Sequence, residues 1–230
     1  SLGWRLSMVP WIVIGVFSSA WWFLRNAKMP TQIHIPEPAK FHRQLLRKPG
    51  AWSISLFFGF QAMMGYGVFT WMPTILVSKG FSLTDAGLWL SITGFAGSAF
   101  GIAAPYFASK LKDFRLLLSL LALTLTISMA AFTLDSGWHL IFWLFILNFG
   151  FAFIFPLCLV LTVTRSVEAG ETRSLSIMTQ AVGYSMAAFS PGIVALIFDI
   201  SNNWNTALLF TIGTGVILIG LGYKAGSPEK

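Results

Sequence analysis

The sequence predicts an all-α integral membrane protein, and three observations carry that prediction. Hydrophobic residues make up 56% of the 230 and charged ones 10%, against about a quarter charged in ordinary soluble domains, and the mean hydropathy is +0.74. Apolar runs long enough for a helix to cross the hydrocarbon core, about twenty residues, recur seven times along the chain. Lys and Arg fall in the short gaps between those runs, where a membrane protein needs them for topology. A nucleic-acid binder would instead cluster them on one folded surface. The net charge of +7 is therefore a topology signal, and the expected partner is the lipid bilayer and not nucleic acid.

Breaking the chain at its charges places the spans near 6–24, 51–78, 86–109, 116–134, 138–164, 174–198 and 204–223, none with an Asp, Glu, Lys or Arg inside. Orientation follows from the gaps. Arg25, Lys28, Lys40, Arg43, Arg47 and Lys48 lie after the first span, Lys110, Lys112 and Arg115 after the third, Arg165 and Arg173 after the fifth, and Lys224 and Lys230 in the tail. Only Arg5 and Lys79 remain for the other face, so the positive-inside rule makes the rich gaps cytoplasmic, with Ser1 outside and Lys230 inside. Aromatic anchors agree: Trp4, Trp71, Trp89, Trp138 and Trp204 fall at the outer boundary, and Trp21, Trp22 and Trp52 at the inner one.

The loop 25–50 is the one long connection, rich in Pro and basic residues. Its Phe41, Leu45 and Leu46 fit a short amphipathic turn at the inner interface, and a plain solvated linker is the rival account. The organisation that results is a span over 1–24, a basic cytoplasmic linker over 25–50, a compact group of six spans over 51–223 and a cytoplasmic tail over 224–230. Cys158, the single cysteine, lies in an apolar run and reads as a small buried hydrophobe. The first residues, Ser1-Leu-Gly-Trp4, carry no signal-peptide pattern, and further sequence is expected upstream of them.

The six spans divide into two threes. The second runs from Trp52 to Pro73 and the fifth from Trp138 to Pro156. The third has Gly94, Gly97, Gly101 and Pro105 where the sixth has Gly183, Ala187, Ala188 and Pro191, while the fourth and seventh are plain apolar helices. Three helices per unit make consecutive units enter from opposite sides, the inverted-repeat arrangement of many transporters.

On these residues the chain resembles the C-terminal half of a major facilitator superfamily transporter, and is most similar to the cyanate and nitroimidazole transporter family (CynX/NimT). The resemblance covers nearly the whole chain. It rests on Trp71-Met-Pro73-Thr-Ile-Leu, Gly80-Phe-Ser, Asp85-Ala-Gly87, Ser174-Leu-Ser176 leading to Gln180-Ala-Val-Gly183-Tyr184, Ser190-Pro191, Asp199 and Trp204. It implies a C-terminal six-helix bundle of two inverted three-helix repeats, preceded by the last helix of an N-terminal half that is not present here. It also implies alternating access around a midplane site in a bacterial inner membrane. The loop Ser109-Lys110-Leu-Lys112-Asp113-Phe-Arg115 resembles the second copy of the superfamily's cytoplasmic gate motif, with Lys110, Asp113 and Arg115 as its charged members. It lacks the motif's Gly and has Ser109 where an acidic residue is usual.

A transport site needs a few polar groups at mid-depth, where helices break or swing. Counting from the span ends selects Gln61, Tyr66, Asn148, Gln180 and Tyr184 as substrate-binding candidates, with Gly65, Gly67, Pro73, Pro156, Gly183, Pro191 and Gly192 as hinges. The sixth span is expected to break at Pro191-Gly192 before Asp199. An interhelical hydrogen bond is as good an account of Asn148 as substrate contact, and it is a rival account of Gln180.

No metal spacing, nucleophile elbow or phosphate loop is present, so neither an enzyme nor an ATP-driven pump is expected, and no cofactor. Small-solute transport remains, with a small anion such as cyanate as substrate or, alternatively, efflux of drugs or nitroimidazoles. A seven-helix receptor shares the topology. Asp85, Asp135, Asp199, His34, His42 and His139 all fall in loops or at span ends, so a proton-coupling residue is expected in the absent half, or transport is facilitated.

Overall fold

The structure, a computed structural model, describes residues 6, 8–26, 41–134 and 136–228. The linker segment 27–40, with Lys28, His34, Lys40 and three of the linker prolines, lies outside the described residues, as do Ser1, Trp4, Arg5, Asp135 and Lys230. The chain separates into a unit over Ser1–Ala39 and a unit over Lys40–Lys230. In the first, α1 runs over Val9–Asn26, with Arg25 in its last turn, where a cation complements the helix dipole.

The second unit holds six helices: α2 (Pro49–Ser78), α3 (Leu83–Ala108), α4 (Arg115–Leu134), α5 (His139–Thr164), α6 (Ala169–Ser201) and α7 (Trp204–Ala225). No strand occurs among the described residues. By length and composition, α3 to α7 are each apolar enough to cross a membrane. Of the remaining two, α1 is 18 residues long and takes in Arg25 and Asn26, and α2 carries Gln61 with several Gly, Ser and Thr residues. The α2 helix has half its length buried against its neighbours, so little of it needs to face lipid.

Local chemistry sets the ends. Pro49 opens α2, where its missing N–H costs nothing. Gly80 turns the chain at φ +98°, a conformation that a Cβ would strain. Ser82 then caps α3, its Oγ accepting from the Asp85 N–H at 3.0 Å and donating to Asp85 Oδ2 at 2.7 Å. Two of the blocks that carried the resemblance, Gly80-Phe-Ser and Asp85, are thus a turn and a cap. The helix that follows begins at Leu83, earlier than the expected 86, because the apolar run was cut at its charged first turn.

Two expectations are corrected. The α6 helix has no break at Pro191-Gly192; it continues through Pro191 to Ser201, taking in Asp199. Proline removes one backbone bond, the one to the Ala187 carbonyl, and a packed membrane helix tolerates it; beside it, Trp71 Nε1 of α2 donates to the Pro191 carbonyl at 2.9 Å and ties α6 to α2 at this turn. The second concerns the amphipathic turn. Arg43–Arg47 is a 3-10 helix, but Leu45 is 2% exposed and belongs to the bundle core, so this apolar residue of the turn meets protein, while Phe41 and Leu46 stay exposed.

The bundle packs as three close pairs, α2 with α6, α3 with α5 and α4 with α7. Exchanging α2, α3, α4 for α5, α6, α7 converts the first pair into the second and returns the third to itself. The next strongest contacts, α2–α7 and α4–α5, also exchange. That is the signature of two repeats of inverted sense. Lipid supplies no hydrophobic drive between helices, so close approach of backbones does the work. A Cβ on Gly183 would overlap Phe58, one on Gly67 would overlap Ser190, and one on Gly97 would crowd the Asn148 backbone. Ser55 and Thr179 add a buried hydroxyl pair at 3.2 Å across α2 and α6.

Trp71 packs on Trp204, which stacks on Phe198 at 4.0 Å, and Trp89 packs on Trp138. These form the tryptophan end of the bundle. The basic end carries Lys48, Arg115 and Arg165.

Candidate functional site: a mid-depth cavity

Near the middle of α2, α3, α5 and α6, the bundle leaves a cavity of about 630 Å³. The α4 and α7 helices contribute nothing to its wall; they brace it from behind, α7 against α2 and α4 against α5. The volume lies within the range of small-molecule sites.

Its surface is mainly ring and backbone. Gly65, Gly94, Gly101, Ala62 and Ala152 make room, and Tyr66, Phe69, Phe151, Phe155 and Tyr184 fill the margins. The rings meet mostly edge to face, the geometry their quadrupoles favour: Tyr66 on Tyr184 at 6.4 Å, Phe58 on Tyr184 at 5.5 Å and Phe69 on Phe151 at 5.3 Å. No charged residue lines it.

Of the five predicted substrate residues, the cavity brings together four: Gln61, Tyr66, Asn148 and Tyr184. Gln61 is 5% exposed, and its Oε1 is buried without a donor. A buried carbonyl left unpaired costs free energy on the order of 1–3 kcal/mol, and this one stands on the cavity wall. Asn148 Nδ2 donates to Thr93 Oγ1 at 3.1 Å and to the Leu144 carbonyl at 3.0 Å. It therefore locks α5 to α3 as well as lining the cavity.

Gln180 is not on the wall. One helical turn before Tyr184, it is half-buried, and its Nε2 donates to Ser176 Oγ at 3.0 Å on its own helix. Ser176 supplies the local partner that the polar-residue count did not weigh.

Phe69, Phe151, Phe155, Ser98, Gly101 and Ala152 were missed. The signal for them is helical spacing from residues already chosen. Gln61, Gly65 and Phe69 make one stripe, and Asn148, Ala152 and Pro156 another.

The predicted hinges divide. Gly65 lies under Phe151, while Gly67 and Gly183 are contact points of the α2–α6 seam, so close packing accounts for them. Pro73, Pro156 and Pro191 sit inside continuous helices, Pro156 on the cavity wall. A Cβ at Gly192 meets open space.

The loop residues Lys110, Asp113 and Arg115 make local contacts at the basic end. Lys110 Nζ donates to Tyr106 Oη at 2.7 Å. Asp113 accepts from the Arg115 N–H at 2.9 Å, capping α4, and Arg115 Nη1 reaches Tyr223 Oη of α7 at 3.4 Å. Among the described residues, no group of three or more His, Cys, Asp or Glu could hold a metal ion.

An all-helical membrane bundle of two exchanged three-helix units around a mid-depth cavity is the architecture of secondary transporters. The chain belongs to the Major Facilitator Superfamily, whose family model matches residues 1–191. It is 28% identical, over 99% of its length, to the 2-nitroimidazole transporter of Escherichia coli (strain K12), of which it covers 58%. It is 30% identical over 76% of its length to the uncharacterized transporter YycB of Bacillus subtilis (strain 168), covering 44% of that protein. To the cyanate transport protein CynX of E. coli it is 22% identical over 94% of its length, covering 56%. The chain thus spans about half the length of the curated relatives it matches.

Proposed function

We propose that the chain supplies one helical half of a small-solute transporter working by alternating access, and that the mid-depth cavity is its share of the substrate site. The observation that carries this reading is the unpaired, buried Gln61 amide oxygen on the wall of an uncharged cavity formed by α2, α3, α5 and α6. Membrane helices keep such a group where a solute or water meets it. Family membership supports transport over the seven-helix receptor and over an enzyme.

The share of the relatives that the chain covers supports a second half that completes the site. In this arrangement residues 1–24 are the last helix of that half, 25–50 the linker and 51–223 the C-terminal bundle, with the basic end of the bundle facing the cytoplasm of a bacterial inner membrane. No carboxylate or His lines the cavity among the described residues, so a proton-coupling group, where the carrier has one, belongs to the other half.

A small anion such as cyanate is one solute for this site. A second reading, a flat drug-like or nitroimidazole solute, is favoured by the aromatic margins and by the absence of a cation from the wall. The test is uptake of labelled cyanate into proteoliposomes holding the full-length protein, with and without an imposed proton gradient. Accumulation that needs the gradient shows a coupled carrier, and uptake that only equilibrates shows a facilitator. Uptake equal to that of protein-free liposomes for cyanate, nitroimidazoles and drug-like cations alike overturns the transport reading.

A further inference from the structure

The edge of the bundle where α3 ends, α4 begins and α7 ends carries more positive charge than its own contacts use. Lys110, Lys112 and Arg115 follow one another in the connection from α3 to α4. The Phe114 N–H donates to the Gly226 carbonyl at 3.1 Å, which brings Tyr223 and Lys224 of α7 beside that connection. Asp113 is its one carboxylate, and Arg115 engages it through its N–H at 2.9 Å and its Nε at 3.6 Å. The side chains of Lys112 and Lys224 are exposed and pair with no described residue. Two of the four tyrosines stand under the other two cations. Lys110 Nζ lies 4.2 Å from the centre of the Tyr106 ring and donates to its Oη at 2.7 Å; Arg115 Cζ lies 5.3 Å from the centre of the Tyr223 ring, and Nη1 reaches its Oη at 3.4 Å. An ammonium or a guanidinium can only donate, so both phenol oxygens accept here and each O–H is left to donate outward.

Tyr106 is 60% exposed and Tyr223 56%, so these hydroxyls are open to a ligand. Helix dipoles and the topology rule account for cations at the ends of α3 and α7. They do not account for a phenol under each. Four cations and two hydroxyl donors suit a phosphate group, which offers several acceptor oxygens and a negative charge. The exposed Leu111 and Leu116 beside them suit hydrocarbon and give a free ion nothing. The α4 and α7 helices also stay off the cavity wall, so this edge is apart from the solute cavity. We infer that it binds the headgroup of an anionic phospholipid, its phosphodiester held by Lys110, Arg115 and the hydroxyls of Tyr106 and Tyr223, with Lys112 and Lys224 adding attraction.

The test follows lipid retained by the full-length protein in detergent, counted by native mass spectrometry, with phosphatidylglycerol, phosphatidylcholine and inorganic phosphate as probes. Wild type is expected to hold phosphatidylglycerol at least tenfold more tightly than phosphatidylcholine, whose headgroup carries its own cation, since each Lys or Arg beside anionic lipid adds roughly fivefold. Tyr106→Phe with Tyr223→Phe keeps every charge and both rings and removes only the hydroxyls. Its affinity for phosphatidylglycerol is expected to fall roughly three- to tenfold, the worth of the lost hydrogen bonds. Lys110→Gln with Lys112→Gln, both at exposed positions, is expected to lose tenfold or more, which places the lipid on this edge and not on the basic linker. Equal retention of the two lipids in wild type, or unchanged affinity in either variant, overturns the inference by leaving only diffuse attraction to charge. Displacement of phosphatidylglycerol by inorganic phosphate overturns it too, because the ligand is then a soluble anion. Should one variant not fold, the other decides.

Discussion

Gly183 and Gly192 sit on one helix and meet opposite surroundings. A Cβ on Gly183 overlaps the ring of the fully buried Phe58, while one on Gly192 meets open space. Overpacking a closed seam costs about 1–3 kcal/mol, so Gly183→Val is expected to lower the thermal midpoint in detergent by several degrees and to reduce the folded fraction recovered by gel filtration. Gly192→Ala is expected to leave both unchanged, and an equal loss in the two would show that the α2–α6 seam is not where the glycine is needed. The sequence showed both glycines as hinge candidates, because a missing side chain looks the same whether it frees the backbone or lets a neighbour in. Gln61, Tyr66, Asn148 and Tyr184 were legible as a set because polar groups at mid-depth are few. Gln180 looked identical, and only its bond to Ser176 sets it apart.

At the scale of the element, the end of the linker is a strap on α6. The His42 N–H donates to Ser174 Oγ at 3.1 Å, Lys48 pairs with Glu171, whose other oxygen accepts from the Val167 N–H at 3.0 Å, and Leu45 fills the core between them. Glu171→Ala removes two of these bonds at once. Trypsin is then expected to cut after Arg43 and Arg47 roughly tenfold faster, since cleavage tracks the population of the opened strap; an unchanged rate would mean that Leu45 and the His42–Ser174 bond hold it without Glu171. Helix positions were legible from the apolar runs to within a turn or two. The inward turn of Leu45 was not, because Phe41, Leu45 and Leu46 make the same short apolar face whether it meets lipid or protein. The α6 helix also shows why a proline in the sequence does not mark a break. Pro191→Ala restores an N–H within reach of the Ala187 carbonyl and should stiffen an already continuous helix. The expected outcome is slower solute exchange across the membrane at unchanged affinity, read by comparing uptake rate with equilibrium binding. Loss of affinity alone would place Pro191 in the site and not in the motion.

At the scale of the whole bundle, the pairing that exchanges α2–α6 with α3–α5 gives the cavity two walls of equivalent construction and opposite sense. Each wall is a close pair locked by small residues, and the α4–α7 pair lies outside both. The two weakly similar triplets in the sequence announced this symmetry. The pairing itself was not legible, because it depends on which glycine faces which neighbour. On the proposed alternating-access reading, the basic end and the tryptophan end of the bundle lie on opposite sides of the membrane. The single cysteine of these 230 residues, Cys158, is buried, so Cys158→Ala, together with replacement of any cysteine in the remaining half, gives a background for single-cysteine labelling. Thr84 is exposed at the tryptophan end and Lys112 at the basic end. In right-side-out vesicles an impermeant maleimide is expected to label Thr84→Cys at once, and Lys112→Cys only after permeabilisation, because thirteen of the fifteen Lys and Arg lie on the side assigned to the cytoplasm. The reverse pattern would invert the bundle. The strap at Lys48 and the loop at Arg115 would then face the exterior, away from any cytoplasmic gate, while the cavity would keep its walls.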